Sequence, residues 1–305
     1  TESSMTADIL LWAGGDAATG PLTPDTLASA HALWARDAVS FGPWLPSDFV
    51  LPPGDSRPVW RSARAAISPV FLVGHCFSTM DLTWKLLDAG VLPEWGSVLA
   101  VSQERGRGQL RRHWVSPPGN LYASLVLPPP RAGWGELLPL LAGWCFSLAL
   151  EGLGVPTRLK WPNDFLLLDQ KVAGMLIEER GGRLVLGFGL NLAEVPAAGD
   201  LRRDRAIPAT ALLREGYSLT PLEAWNTLVN AVRKVYTDTS DVVDPSRFPP
   251  LVTERLAWMG RRVLVLEGGE VAYQARIAGL SSSGGLLVEH DGRLDVLYSG
   301  SVAPL

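Results

Sequence analysis

Residues 68–127 restrict the fold more than any other part of the chain. SPVFLVGHCFS and WGSVLAVSQ are apolar runs rich in β-branched residues and bounded by Gly and Pro, the pattern of buried strands. Between them STMDLTWKLLDAG has helical spacing and stops at Gly90, which can close a helix without a Cβ penalty. NLYASLVLP follows as an alternating strand, and a long apolar helix is expected from about residue 134 to residue 153. After Gly154 and Pro156 come three more strand-like runs, TRLKWPNDFLLL, KVAGMLIEER and RLVLGFGLNL, with turns at Asn163 and Asp164 and at Gly181 and Gly182. The whole predicts an α+β layout, a mixed sheet with helices on a face.

The flanks have other textures. Residues 1–66 carry Pro21, Pro24, Pro43, Pro46, Pro52, Pro53 and Pro58 around one expected helix, announced by Thr23 as N-cap and Pro24 in the first turn and running through LASAHALWARDA. The rest of that segment reads as an arm wrapped on a neighbour. It lacks the well-patterned helices and basic face of a helix-turn-helix, and with a formal net charge of −4 the chain has no overall field for nucleic acid. Beyond a charged loop at residues 200–205, TPLEAWNTLVNAVRKVY is an amphipathic helix with Thr220 as cap, and a second helix is expected over residues 246–258. From Gly260 onward RRVLVLEGG, EVAYQARIAGL, GGLLVEH and RLDVLYSGSV are short strands at roughly ten-residue spacing, the size of a small SH3-like β-barrel. The expected domains are therefore an N-terminal extension over 1–66, a main domain over 67–258 and a C-terminal domain over 259–305.

With 47% hydrophobic residues the chain can bury a sizeable core. Cys76 and Cys145 both lie in apolar sequence and read as free thiols of a reducing compartment. The first residues, TESSMTADILLWAGG, lack the basic start and apolar run of a signal peptide, and no apolar stretch reaches membrane-spanning length. The expectation is a cytoplasmic protein that does not engage a membrane.

Three clusters carry chemistry. Residues 105–112 hold four arginines among glycines at 106 and 108, in the stretch GRGQLRRHW, an arrangement suited to anions or to a solvated loop. LKWPND at 159–164 sets Lys160 between apolar neighbours, so its ammonium should point inward and needs an anion, either a ligand or a structural carboxylate. GFGLN at 187–191 offers close backbone approach and one amide, or marks a place where strands crowd.

In order and spacing these clusters resemble the biotin protein ligases of the biotin/lipoate A/B protein ligase family. The matching residues are Ser78, Thr79, Gln103, Gly106, Arg107, Gly108, Arg112, Trp114, Ser116, Pro117, Gly119, Asn120, Leu121, Tyr122, the KWPND run at 160–164, Lys171, Gly174, Leu176, Glu178, Gly187, Gly189 and Asn191. The resemblance covers residues 68–195, and the small β-module favours biotin over lipoate ligases. It implies a class II synthetase-like catalytic domain followed by the SH3-like one. The implied reaction is activation of biotin with ATP and Mg²⁺ to biotinyl-AMP, then transfer to a lysine of a biotin carboxyl carrier protein domain. On this resemblance Lys160, Arg107 and Arg112 are the catalytic cations. Ser78, Thr79 and Gln103 hold the ureido ring, with Gly106, Gly108, Gly174, Gly187 and Gly189 around the biotin. Arg107, Trp114, Lys160 and Asn191 serve ATP, Asn191 being also the candidate Mg²⁺ contact. The glycine loop then acts as a lid over the anhydride. Family members commonly pair through edge strands, which makes a homodimer part of the expectation.

The chain departs from the pattern at Gln109, where the family loop has arginine, and at Arg111, where it has glycine; Met80 replaces a common asparagine. A leaky adenylate, rescue by Arg111 or Arg105, and a changed substrate all remain open readings of Gln109. The alternatives to a biotin ligase are a ligase for lipoate or octanoate, against which Gln103 argues, and a non-catalytic binder of biotin or its adenylate, against which Lys160, Arg107 and Asn191 argue.

Overall fold

The computed structural model describes residues 8–14, 22–49, 51, 56–109, 112–195, 207–267 and 270–305. β1 (Ile9–Trp12) is buried throughout. α1 (Pro24–Ala30) begins on the expected cap, with the Thr23 and Thr26 hydroxyls each accepting from the other's backbone N–H. One helix was expected here and two form. His31 is extended (φ −169°, ψ 153°), and its Nδ1 accepts from Leu33 N at 3.1 Å to cap α2 (Ala32–Ser40). β2 (Trp44–Ser47) and β3 (Val59–Ser62) complete the leader.

β4 (Val70–Cys76), α3 (Thr79–Asp88), β5 (Ser97–Gln103), β6 (Leu121–Leu127) and the largely buried α4 (Leu138–Gly152) follow the sequence pattern closely. Then come β7 (Arg158–Lys160), β8 (Asp164–Leu167), β9 (Gln170–Arg180) and β10 (Arg183–Leu190), the last two joined by Gly181 and Gly182 at φ of 58° and 77°. α5 (Pro221–Val242) is capped from outside its own sequence. The Asp37 carboxylate of α2 accepts from Leu222 N (2.8 Å), Glu223 N (3.3 Å) and the Thr220 hydroxyl (2.6 Å), so Thr220 supports the cap and does not form it. α6 (Phe248–Thr253) is shorter than expected, because residues 255–257 leave the helix to flank β7: Leu159 N donates to Arg255 O at 2.8 Å and Ala257 N to Leu159 O at 2.9 Å. β11 (Arg262–Glu267), β12 (Glu270–Leu280), β13 (Leu286–His290), β14 (Arg293–Leu297) and β15 (Ser301–Pro304) end the chain. RLDVLYSGSV thus holds two strands, parted at Gly300, whose φ is 100°.

The chain divides into two compact units, one of Thr1–Pro129, Met175–Val195 and Ala211–Asn230, the other of Pro130–Gly174, Pro196–Thr210 and Ala231–Leu305. In the first, the sheet runs β2-β3-β1-β4-β5-β6-β10-β9, parallel at β1–β4 and β4–β5 and antiparallel at β2–β3, β3–β1, β5–β6 and β6–β10, a mixed sheet as expected. The proline-rich leader is therefore part of the sheet. Pro46, with no N–H to donate, sits in the edge strand β2, where it costs no ladder bond. Leu10, Trp12, Phe71, Val73, Leu82, Leu86, Val98 and Val126 form the core beneath α3. In the second unit the start of β9 pairs with β8 and β8 with β7, and the C-terminal strands make a five-stranded antiparallel sheet, β14-β13-β12-β11-β15. Among the described residues no helix is long and apolar enough to cross a membrane. Neither cysteine is in a disulfide and both are buried, and burial pushes the Cys145 thiol up.

Candidate functional site

The arginine-rich stretch is a hairpin. Gln103 pairs with Ser116 and Arg107 with His113, Trp114 N donates to Gly106 O at 2.8 Å, and Gly108 N to Arg112 O at 2.8 Å. Gly106 is required by this closure, since a Cβ there would lie 2.3 Å from Trp114 O and 2.6 Å from Ser116 Oγ. Arg107 ties the hairpin root to two elements. It is ion-paired with Asp81 in the first turn of α3 and with Glu178 Oε1 of β9 at 2.7 Å. Glu178 Oε2 in turn accepts from Trp84 Nε1 (3.0 Å) and from Arg180 (2.9 Å). Arg105 lies over the Phe77 ring, 4.5 Å from its centroid. Arg112 is exposed, its backbone N donating to Gln109 O at 3.1 Å; Leu110 and Arg111 lie outside the described residues.

At the base of this hairpin runs a line of neutral hydrogen bonds. Gln103 Oε1 accepts from both Thr79 N (2.9 Å) and Thr79 Oγ1 (3.1 Å), while its Nε2 donates to Ser116 Oγ at 3.0 Å. Thr79 Oγ1 also meets Ser124 Oγ at 2.7 Å. Ser78 is buried and makes no capping bond to α3, although it occupies the N-cap position. The glycines of GFGLN accommodate side chains. A Cβ on Gly187 would lie 2.9 Å from Met80 Sδ, and one on Gly189 would lie 2.6 Å from the Trp114 ring. Asn191 is buried and its carbonyl accepts from Leu212 N at 3.0 Å. The turn after it is held by Asn120, whose Oδ1 accepts from Leu192, Ala193 and Glu194 N–H groups at 2.9–3.0 Å.

Lys160 and Gly174 belong to the second unit. Lys160 ends β7 and is 7% exposed, as its apolar neighbours implied. Its ammonium donates to Asp164 Oδ2 at 3.2 Å and to Ser301 Oγ of β15 at 3.3 Å. The other oxygen of Asp164 meets Lys171 Nζ at 2.6 Å, and Gly174 pairs with Asp164 across β8 and β9. Burial would raise the Asp164 carboxyl, but the charges of Lys171 and Lys160 outweigh it and hold it at about 2. Next to Lys160, Trp161 is buried and donates from Nε1 to Gly284 O at 3.0 Å. Asp164 is thus the structural carboxylate that the sequence left as one alternative, yet it serves two ammonium groups.

Residues 75–192 match the family model described as the biotin/lipoate A/B protein ligase family. A biotin--[acetyl-CoA-carboxylase] ligase of Paracoccus denitrificans is 30% identical over 222 residues, 67% of this chain and 88% of that protein. The chain belongs to the biotin/lipoate A/B protein ligase family. The bifunctional ligase/repressor BirA of Escherichia coli is 30% identical over 72% of this chain and 69% of its own length. Among solved structures, the biotin protein ligase from Aquifex aeolicus in complex with biotin and ATP superposes with a TM-score of 0.64 at 26% identity, covering 77% of this chain and 97% of that one. The span of the ligase family model holds the glycine hairpin, the Thr79–Gln103 network, KWPND and GFGLN. Sequence reasoning singled out neither Asp81 and Ser124 nor Ser301. Asp81 and Ser124 follow helix and strand periodicity, and Ser301 sits among C-terminal residues with no charge or repeated motif to mark it.

Proposed function

We propose that this ligase-family chain activates biotin with ATP to biotinyl-AMP and transfers the biotinyl group to a lysine of a biotin carboxyl carrier domain. The observation that carries the reading is the buried Lys160, whose one carboxylate partner among the described residues, Asp164, is shared with Lys171, so that its positive charge is not fully neutralised. In the first step a biotin carboxylate oxygen attacks the α-phosphorus and pyrophosphate leaves. In the second the acceptor amine attacks the acyl carbon, AMP leaves, and the amine proton passes to solvent. Both steps assemble anions, and a fixed buried cation stabilises them more than it would in water. Lys160 bridges the carboxylate and an α-phosphate oxygen.

Ser78, Thr79 and Gln103 take the ureido ring, a role supported by the neutral donors and acceptors already aligned through Thr79, Gln103 and Ser116. That set suits a cyclic urea better than an alkyl chain. Gly106, Gly108, Gly174, Gly187 and Gly189 shape the backbone around it, and Trp114 flanks the nucleotide. Arg107 exchanges Asp81 and Glu178 for the adenylate, with the exposed Arg112 beside it on the hairpin. Asn191 would offer its amide oxygen, a hard donor, to the Mg²⁺ that accompanies the ATP phosphates, an ion that would offset their charge. In this reading residues 67–258 form the catalytic domain and 259–305 a C-terminal module, with residues 1–66 as an extension; two cysteines outside any disulfide and the use of ATP suit the cytoplasm. The test is biotin-dependent pyrophosphate release. Lys160→Ala is expected to lower it by about 100-fold or more, and an unchanged rate in that variant would overturn the assignment.

A further inference from the structure

We propose that Lys171 is a positioning residue that neutralises Asp164 and thereby leaves the Lys160 ammonium available to the substrate's anionic groups. The inference rests on the ligase reading of Lys160 and adds a residue to it. Asp164 is closer to Lys171, at 2.6 Å, than to Lys160, at 3.2 Å, and the other partner of Lys160 among the described residues, the Ser301 hydroxyl at 3.3 Å, is neutral. Taken by themselves, these three side chains set two ammonium groups against one carboxylate, a net charge of one positive. A buried excess charge draws in a counter-ion, and carboxylate and phosphate are what an adenylating enzyme brings. Without Lys171, Asp164 and Lys160 would close as a neutral pair and an incoming anion would have to break it.

The backbone is built to aim Lys171 this way. Strand register runs Asp164 to Gly174 and Phe165 to Ala173, then shifts so that Leu166 faces Lys171. Side chains alternate along a strand, so three residues from Gly174 would normally put Lys171 on the opposite face from Asp164. The bulge between Phe165 and Leu166 absorbs one residue of β9, reverses that alternation and brings Lys171 to the face of Asp164. The bulged backbone is held from its other side, where Lys171 N donates to Pro208 O at 2.7 Å and Thr210 N to Lys171 O at 3.0 Å. The ion pairs hold the Asp164 carboxyl at about 2, so Asp164 stays a carboxylate at every pH at which the enzyme would work.

The experiment measures KM for biotin and kcat by pyrophosphate release in the full chain, for wild type, Lys171→Gln, Lys171→Arg and the double variant Lys171→Gln/Asp164→Asn. Lys171→Gln is expected to raise KM by about tenfold or more, Lys171→Arg to stay near wild type, and the double variant to recover most of the loss, because removing the carboxylate again leaves Lys160 uncompensated. A double variant no better than Lys171→Gln, in a wild type that does release pyrophosphate with biotin, would overturn the inference alone; a wild type that releases none would remove the ligase reading beneath it. Should Lys171→Gln fail to fold, Lys171→Met takes its place in the comparison: a raised KM set against a normal one in Lys171→Arg supports the role, and equal values in the two overturn it.

Discussion

Ser301 Oγ stands 3.3 Å from Lys160 Nζ, a long and single bond to a neutral group. A hydrogen bond of this kind contributes about 0.5–1.5 kcal/mol, so Ser301→Ala is expected to slow biotin activation by roughly two- to tenfold. A loss as deep as that of Lys160→Ala, read in the same pyrophosphate assay, would mean that Ser301 does more than steady the ammonium. The contrast shows what could be read at the level of single residues. The inward direction of Lys160 followed from Leu159 and Trp161 beside it, and Asp164 lay four positions away. Lys171 as the second partner depends on a strand bulge, and Ser301 on a strand 141 positions later, so neither could be derived locally. Gly106, Gly187 and Gly189 were legible as places where a Cβ would not fit. What fills the space, the Trp114 carbonyl, Met80 and the Trp114 ring, is decided by tertiary packing.

Among the elements, α5 shows the same division. Its amphipathic pattern and start at Pro221 were plain, but its N-terminal N–H groups are satisfied by Asp37, 185 positions before Leu222, and not by Thr220. Burial raises the Asp37 carboxyl to about 6, against the opposing hydrogen bonds from Thr220, Leu222 and Glu223. A folded-state value above the unfolded one means that the native state binds this proton more tightly. The stabilisation from Asp37 is then complete below about pH 4 and is lost as pH rises through about 6. Thermal unfolding followed from pH 4 to pH 7 should show that decline, up to about 3 kcal/mol, and Asp37→Asn should flatten it. A variant that keeps the full slope would show that other groups are responsible. The short strands β2 and β3 escaped the sequence reading because prolines surround them and Pro46 lies within β2, a pattern that an edge strand tolerates, and β1 because four residues are too few to show a period. The helix expected over LASAHALWARDA divided at a histidine that caps the second half, an ordinary residue type for a helix interior.

For the whole molecule, the mixed sheet, the small C-terminal sheet and the family were all readable from strand patterning and from the KWPND and glycine-loop motifs. The leader's place in the sheet was not, since strand pairing across distant segments leaves no periodic trace. Gln109 stays a departure from the family's loop pattern. The hairpin closes around it by backbone bonds from Gly108 and Arg112, while Arg105 rests on Phe77, so hairpin closure itself does not call for an arginine side chain at 109. The central claim is tested by incubating the chain with ATP, Mg²⁺, biotin and an isolated biotin carrier domain, and reading the acceptor by intact mass. The account predicts one biotinyl group on the carrier lysine with the wild-type chain and none with Lys160→Ala; an unmodified acceptor with wild type, or equal labelling by both proteins, would contradict it.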